Sequence, residues 1–132
     1  RASGAKRVIP LAVSVAAHSP LMASAAEILR AELDRTAVRA PTPAVVGNCS
    51  ALPITSAEQV IAELTSQLTS PIRWTRSIQH MVEQGITTFV EVGPKDVLTG
   101  LVKRIAPEVT AMACGTVEGV RQVADWLRQQ TV

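Results

Sequence analysis

Tyrosine is absent from this chain of 132 residues, and Phe89, Trp74 and Trp126 are its only aromatic side chains. Ala, Val, Leu and Ile must therefore fill its core. So few rings exclude a single-stranded nucleic-acid platform, which stacks bases on aromatic faces. A dominant charge is lacking too: 13 Lys and Arg against 11 Asp and Glu leave +2, too little to imply a polyanionic partner. Cys49 and Cys114 lie far apart and form neither a disulfide framework nor a CxxC motif. Such a pair suits a reducing, cytoplasmic setting. No apolar run approaches the ~18 residues of a membrane span and no signal-peptide pattern opens the chain, so no membrane partner is expected.

Familiar catalytic and binding motifs are missing as well. Neither GxGxxG nor GxxxxGK[ST] occurs, so no phosphate-cradling loop is expected, and no GxSxG nucleophile elbow is present. The scattered carboxylates have no metal-ligand spacing, and no metal is expected. The chain opens on Arg1 rather than Met, and "RASGAKR" reads as the end of a helix stopped at Gly4, as though the beginning lay elsewhere.

What is present is an alternation of strand and helix patterns. Residues 7–15, "RVIPLAVSV", read as a strand whose Pro10 marks an edge or a bulge. Ser19 and Pro20 fit the N-cap and first turn of a helix over 20–35. A short strand is expected at 43–47, then a helix to about residue 69 with Ser56 and Gln59 as a capping box, stopped by Pro71. A helix over 73–84 ends at Gly85, strand 87–92 follows, and Asp96 suits the N-terminus of a helix over 96–105. "VTAMACG" reads as a last strand and 117–130 as a last amphipathic helix. Short connections and this alternation predict an α/β fold with a largely parallel sheet covered on both faces.

In such sheets chemistry gathers at the carboxyl ends of strands. His18, Asn48 with Cys49, and the Gly93–Pro94 turn all follow predicted strands and are expected to converge there. Position alone leaves His18 open between a satisfied histidine at a helix entrance and a catalytic base. Cys49 in "GNCSA" superficially mimics an elbow, but Leu52-Pro53-Ile54 delays the next helix, so it reads as a small core residue. His80 is expected on the solvated side of its helix.

Four blocks together, "GAKRVIPLAVSVAAHSPLM", "PAVVGNCSA", "QLTSPIRWTRSI" and "GITTFVEVGPKDVLTGLVKRI", closely resemble the C-terminal part of malonyl-CoA:acyl carrier protein transacylases. The resemblance covers about residues 4–114. It implies the C-terminal part of a hydrolase-like parallel-sheet core over 13–132, with 1–12 as the closing segment of a small ferredoxin-like subdomain. It implies transfer of malonyl from malonyl-CoA to the phosphopantetheine thiol of acyl carrier protein, in fatty acid biosynthesis, through an acyl-serine. No cofactor beyond the CoA thioester and the partner's phosphopantetheine is implied. His18 falls on the family's general base, and the main-chain carbonyl that orients that base falls on Gln67, where the helix frays before Pro71. Ala17 and Val97 fall where the family contacts the acyl group, and Lys103 and Arg104 are candidates for carrier-protein docking. The serine elbow, the carboxylate-clamping arginine and the oxyanion-hole glutamine have no counterpart here, so an incomplete, inactive segment needing an N-terminal half is expected. The alternatives are a polyketide-synthase acyltransferase segment with another extender unit, "SVAAH" matching neither common signature, and a non-catalytic α/β module that binds a carrier protein.

Overall fold

A computed structural model of the chain describes residues 4, 7–9 and 14–130. The helix end expected around Gly4, the segment expected over 1–12 and the middle of the strand expected over 7–15 lie largely outside the described residues. Residues 7–9 and 14–15, the described ends of that strand, carry no strand pairing.

The described chain begins its regular structure with a 3-10 turn, Pro20–Met22, capped by the Ser19 hydroxyl, and continues as α1, Ala23–Leu33. β1 (Val45–Val46) and β2 (Pro53–Ile54) form a two-residue antiparallel ladder around the loop that contains Cys49. α2 spans Ala57–Thr69 and α3 Trp74–Glu83. Then β3 (Thr88–Glu91), α4 (Val97–Ile105) and β4 (Thr110–Ala113) form one β-α-β unit with a parallel ladder, Phe89 opposite Ala111 and Glu91 opposite Ala113. α5 closes with Val117–Gln130.

The molecule is α/β, as the alternation predicts, but the single parallel sheet is not what these residues form. Among the described residues the strands make two separate two-stranded sheets. The short run at 43–47 turns back on Pro53–Ile54 instead of joining β3 and β4, because a loop of six residues can return a chain only antiparallel.

The core lies where α3 and α4 cover β3 and β4. Ile78, 1% exposed, packs with Val102, Ala106 and Ala111, and Trp74, Met81 and Phe89 surround them. Gly85 ends α3 with φ +87°, the left-handed conformation that a helix stop favours in glycine. A second packing unit joins α1 to α2, with the 3-10 turn also resting on α2. That second unit brings His18, which lies just before the turn, beside the last turn of α2.

Candidate active site

His18 has φ +63°, a left-handed backbone that a non-glycine residue adopts only at a cost of roughly 1–2 kcal/mol. Neighbouring caps hold it there. The Ser19 hydroxyl donates to the carbonyl of Ala16 at 2.7 Å and accepts from the amide of Leu21. From this position the half-buried imidazole reaches Gln67, with Nδ1 2.7 Å from the main-chain oxygen. A carbonyl oxygen only accepts, so Nδ1 carries the proton and the neutral ring presents its lone pair on Nε2. The geometry makes Nε2 the basic atom. Any group with a labile proton must approach from that side.

The Gln67 carbonyl is available because α2 stops at Thr69 and Ser70 turns extended, φ −117° and ψ 151°. The Ser56 hydroxyl caps the other end of α2, accepting from the Gln59 amide. The Gln59 side chain completes a shifted box by accepting from the Thr55 amide at 2.6 Å rather than from that of Ser56.

A carboxylate that sequence reading left unassigned organises the Cys49 loop. Glu63, on α2, accepts from the Cys49 amide at 2.5 Å and the Ser50 amide at 3.3 Å. Burial alone would raise its pKa, but these hydrogen bonds outweigh that and hold it below the usual carboxylate range. The same loop is tied to the next helix, the Arg73 amide donating to the Asn48 carbonyl at 2.8 Å. The Cys49 thiol lines an open cleft of about 500 Å³ with Glu63, Ser66 and Arg73. Burial pushes its pKa up and the Glu63 charge adds to this, with Arg73 opposing. A thiol held protonated is a poor nucleophile, and β2 rather than a helix follows it.

A second unassigned carboxylate caps α4. Glu91, at the end of β3, accepts from the amides of Leu98 at 3.1 Å and Thr99 at 2.7 Å. The Thr99 amide above all lowers its pKa. Asp96 occupies the N-cap position but makes no side-chain cap bond. In "FVEVGPKD", a carboxylate in the strand shortly before the helix amides was the available signal.

The structure thus brings His18 and Gln67 together. Ala17, the residue before His18, is exposed, and Val97 is exposed at the start of α4. Lys103 and Arg104 are exposed in the last turn of α4. Of the three strand ends expected to converge, Asn48 lines one small cavity with Gln67, the partner of His18. Asn48 bonds Arg73, whereas the Gly93–Pro94 turn packs against Gly115. His80 also departs from the solvated position expected of it. Loop residues Ser50–Leu52 face α3 across a cleft, and Nε2 of the half-buried His80 is enclosed without a partner. Among the described residues no group of three His, Cys, Asp or Glu is placed to hold a metal, and no helix is long and apolar enough to cross a membrane.

No protein-family model matches the chain. It is 44% identical over 113 residues to the malonyl CoA-acyl carrier protein transacylase of Escherichia coli (strain K12), a match covering 86% of this chain and 37% of the relative. It is 38% identical over 128 residues to that of Bacillus subtilis (strain 168), covering 97% and 40% respectively. The malonyl-CoA:acyl carrier protein transacylase crystal structure from Xanthomonas oryzae pv. oryzae superposes with TM-score 0.89 at 35% identity, covering 94% of this chain and 40% of that one. A malonyl-transacylase in complex with a type II PKS acyl-carrier protein gives TM-score 0.85 at 41% identity, covering 89% and 38%. The chain spans about two fifths of the length of the curated relatives it matches.

Proposed function

We propose, from the premise that the chain belongs to the malonyl CoA-acyl carrier protein transacylases as their C-terminal part, that it supplies the general base of malonyl transfer. The observation that carries this reading is the Nδ1 bond from His18 to the Gln67 carbonyl, which leaves Nε2 as the basic atom. In the proposed reaction Nε2 takes the proton of a serine hydroxyl, supplied from outside this chain, as its oxygen attacks the malonyl thioester. The C–S bond breaks and the imidazolium gives that proton to the departing CoA thiolate. In the second half the phosphopantetheine thiol of acyl carrier protein loses its proton to Nε2, attacks the malonyl ester, and the proton returns to the serine oxygen.

The remaining assignments belong to the same proposal. Ala17 and Val97 contact the acyl group, and Lys103 and Arg104 meet the carrier protein. Residues 1–12 close a small ferredoxin-like subdomain and 13–132 complete a hydrolase-like core. The reaction needs no cofactor beyond its thioester substrate and the carrier's phosphopantetheine, and it takes place in the cytoplasm. Apolar side chains such as Val92, 81% exposed, and Val97, 60% exposed, are covered by the rest of the enzyme. One observation favours a second reading, in which the acceptor is a polyketide carrier: the likeness to a transacylase bound to a type II PKS acyl-carrier protein.

The test is to incubate the protein that carries this chain with radiolabelled malonyl-CoA, quench, and locate the label. A malonyl ester on a serine outside these 132 residues, transferable to carrier protein, is expected. A stoichiometric label on this chain that disappears in Cys49→Ala contradicts the reading and makes Cys49 the nucleophile.

A further inference from the structure

The acceptor that holds His18 exists because a helix is prevented from consuming it. In a continuing α-helix the Gln67 carbonyl would accept the amide hydrogen of residue 71. Residue 71 is proline, which has no amide hydrogen and biases the residue before it toward extended backbone. Ser70 adopts that backbone, and its amide returns to the Ser66 carbonyl at 2.9 Å. Three residues on from Ser70, the Arg73 amide is anchored to the Asn48 carbonyl, fixing the far end of the extended stretch. Gln67 is thus the first residue of α2 whose carbonyl is denied its helical donor by residue type. His18 takes the place of that donor at 2.7 Å.

We propose that Pro71 is a positioning residue for His18: by withholding a backbone donor from the Gln67 carbonyl it fixes the imidazole as the Nδ1–H tautomer and aims Nε2 outward. Helix ends in general leave carbonyls open, but those are contested by water and by tightened last turns. Proline removes the nearest competitor in every conformation of the linker. The catalytic consequence rests on the reading of His18 as the base of acyl transfer; the tautomeric consequence stands without it.

The experiment compares Pro71→Ala and Pro71→Gly with the unsubstituted protein that carries this chain. Its readouts are ¹⁵N NMR of the His18 ring at alkaline pH and steady-state malonyl transfer. The unsubstituted protein shows a protonated Nδ1 and a bare Nε2. Alanine restores a donor within good helix-forming sequence, so Pro71→Ala moves the ring toward the Nε2–H tautomer. It lowers kcat about tenfold to a hundredfold, as small misplacements of reacting groups do, with KM for malonyl-CoA unchanged. Pro71→Gly restores the donor but disfavours the helix that would place it, so its effect is smaller. A role confined to stiffening the linker makes the more flexible glycine at least as damaging as alanine, and that ranking overturns the proposal. So does a native Nδ1–H signal in Pro71→Ala. Absence of malonyl transfer by the unsubstituted protein contradicts the catalytic reading instead, and the tautomer comparison still decides the role of Pro71.

Discussion

The imidazole Nδ1 of His18 and the main-chain oxygen of Gln67 stand 2.7 Å apart across 49 residues of sequence. A side chain oriented by a backbone atom is insensitive to the side chain that the backbone atom carries. Gln67→Ala therefore retains the acceptor and should leave malonyl transfer close to native, provided α2 still ends at Thr69. A loss as large as that of removing the imidazole would show that the Gln67 side chain does the orienting. Comparing kcat for the two variants at one carrier-protein concentration decides it.

Glu63 and Glu91 make stability depend on acid in a stated direction. Backbone amides hold both carboxylates below their ordinary range in the folded protein. Each therefore contributes stability that is fully present above the unfolded pKa, roughly 4.3, and is lost as pH falls through the lower folded pKa. Glu63→Ala should cost about 1 kcal/mol at pH 7, a charge-assisted pair of bonds discounted for solvent screening. In Glu63→Gln with Glu91→Gln the denaturation midpoint should be lower at pH 7 and should approach the unsubstituted value as pH falls through the lowered folded pKa values. Curves that remain parallel through that window would contradict the assignment.

Two glycines should rank oppositely to their backbone angles. A Cβ at Gly115 would collide with the carbonyl oxygen of Gly93 and lie 3.2 Å from Cα of Pro94, main-chain atoms that cannot swing aside. Gly115→Ala should cost about 2 kcal/mol or more through overpacking. Gly85 has φ +87° but open space around a Cβ, so Gly85→Ala should cost only about 1 kcal/mol of backbone strain. Urea midpoints of the two variants give the ranking; equal or reversed costs would mean the Gly93–Pro94 turn yields easily.

Much of this was legible from local pattern. Ser19-Pro20, Ser56 with Gln59, and Gly85 announce helix boundaries through short-range chemistry, and they stand where that chemistry puts them. The pairing of strands was not legible, because "AVVGN" and "PIT" carry no signal distinguishing a six-residue return from a place in the larger sheet. Glu63 and Glu91 escaped notice for a related reason. Glu63 caps amides 14 residues away for its shortest bond, a separation no local pattern marks, whereas Glu91, 8 residues from the Thr99 amide, left only the weak signal of a strand carboxylate ahead of a helix. His18 could be located by its loop, but the partner that fixes its tautomer is a backbone atom, and backbone atoms leave no mark in residue identity.

Lys103 and Arg104 extend into solvent from the last turn of α4, after Leu98 and Leu101. Charge reversal at both should raise the apparent KM for acyl carrier protein and flatten its dependence on salt, with KM for malonyl-CoA unchanged. Basic residues at a helix C-terminus also suit the helix dipole. An unchanged carrier-protein KM with a lowered thermal midpoint would assign them to that role alone.

The most direct test of the central claim is the rate of malonyl transfer to acyl carrier protein by His18→Ala, set beside the unsubstituted protein that carries this chain. Removing a general acid and base should lower kcat by ~10²–10⁴-fold in a protein whose circular dichroism remains native. Turnover by a folded His18→Ala protein at the unsubstituted rate would show that the imidazole held by Gln67 takes no part in the reaction.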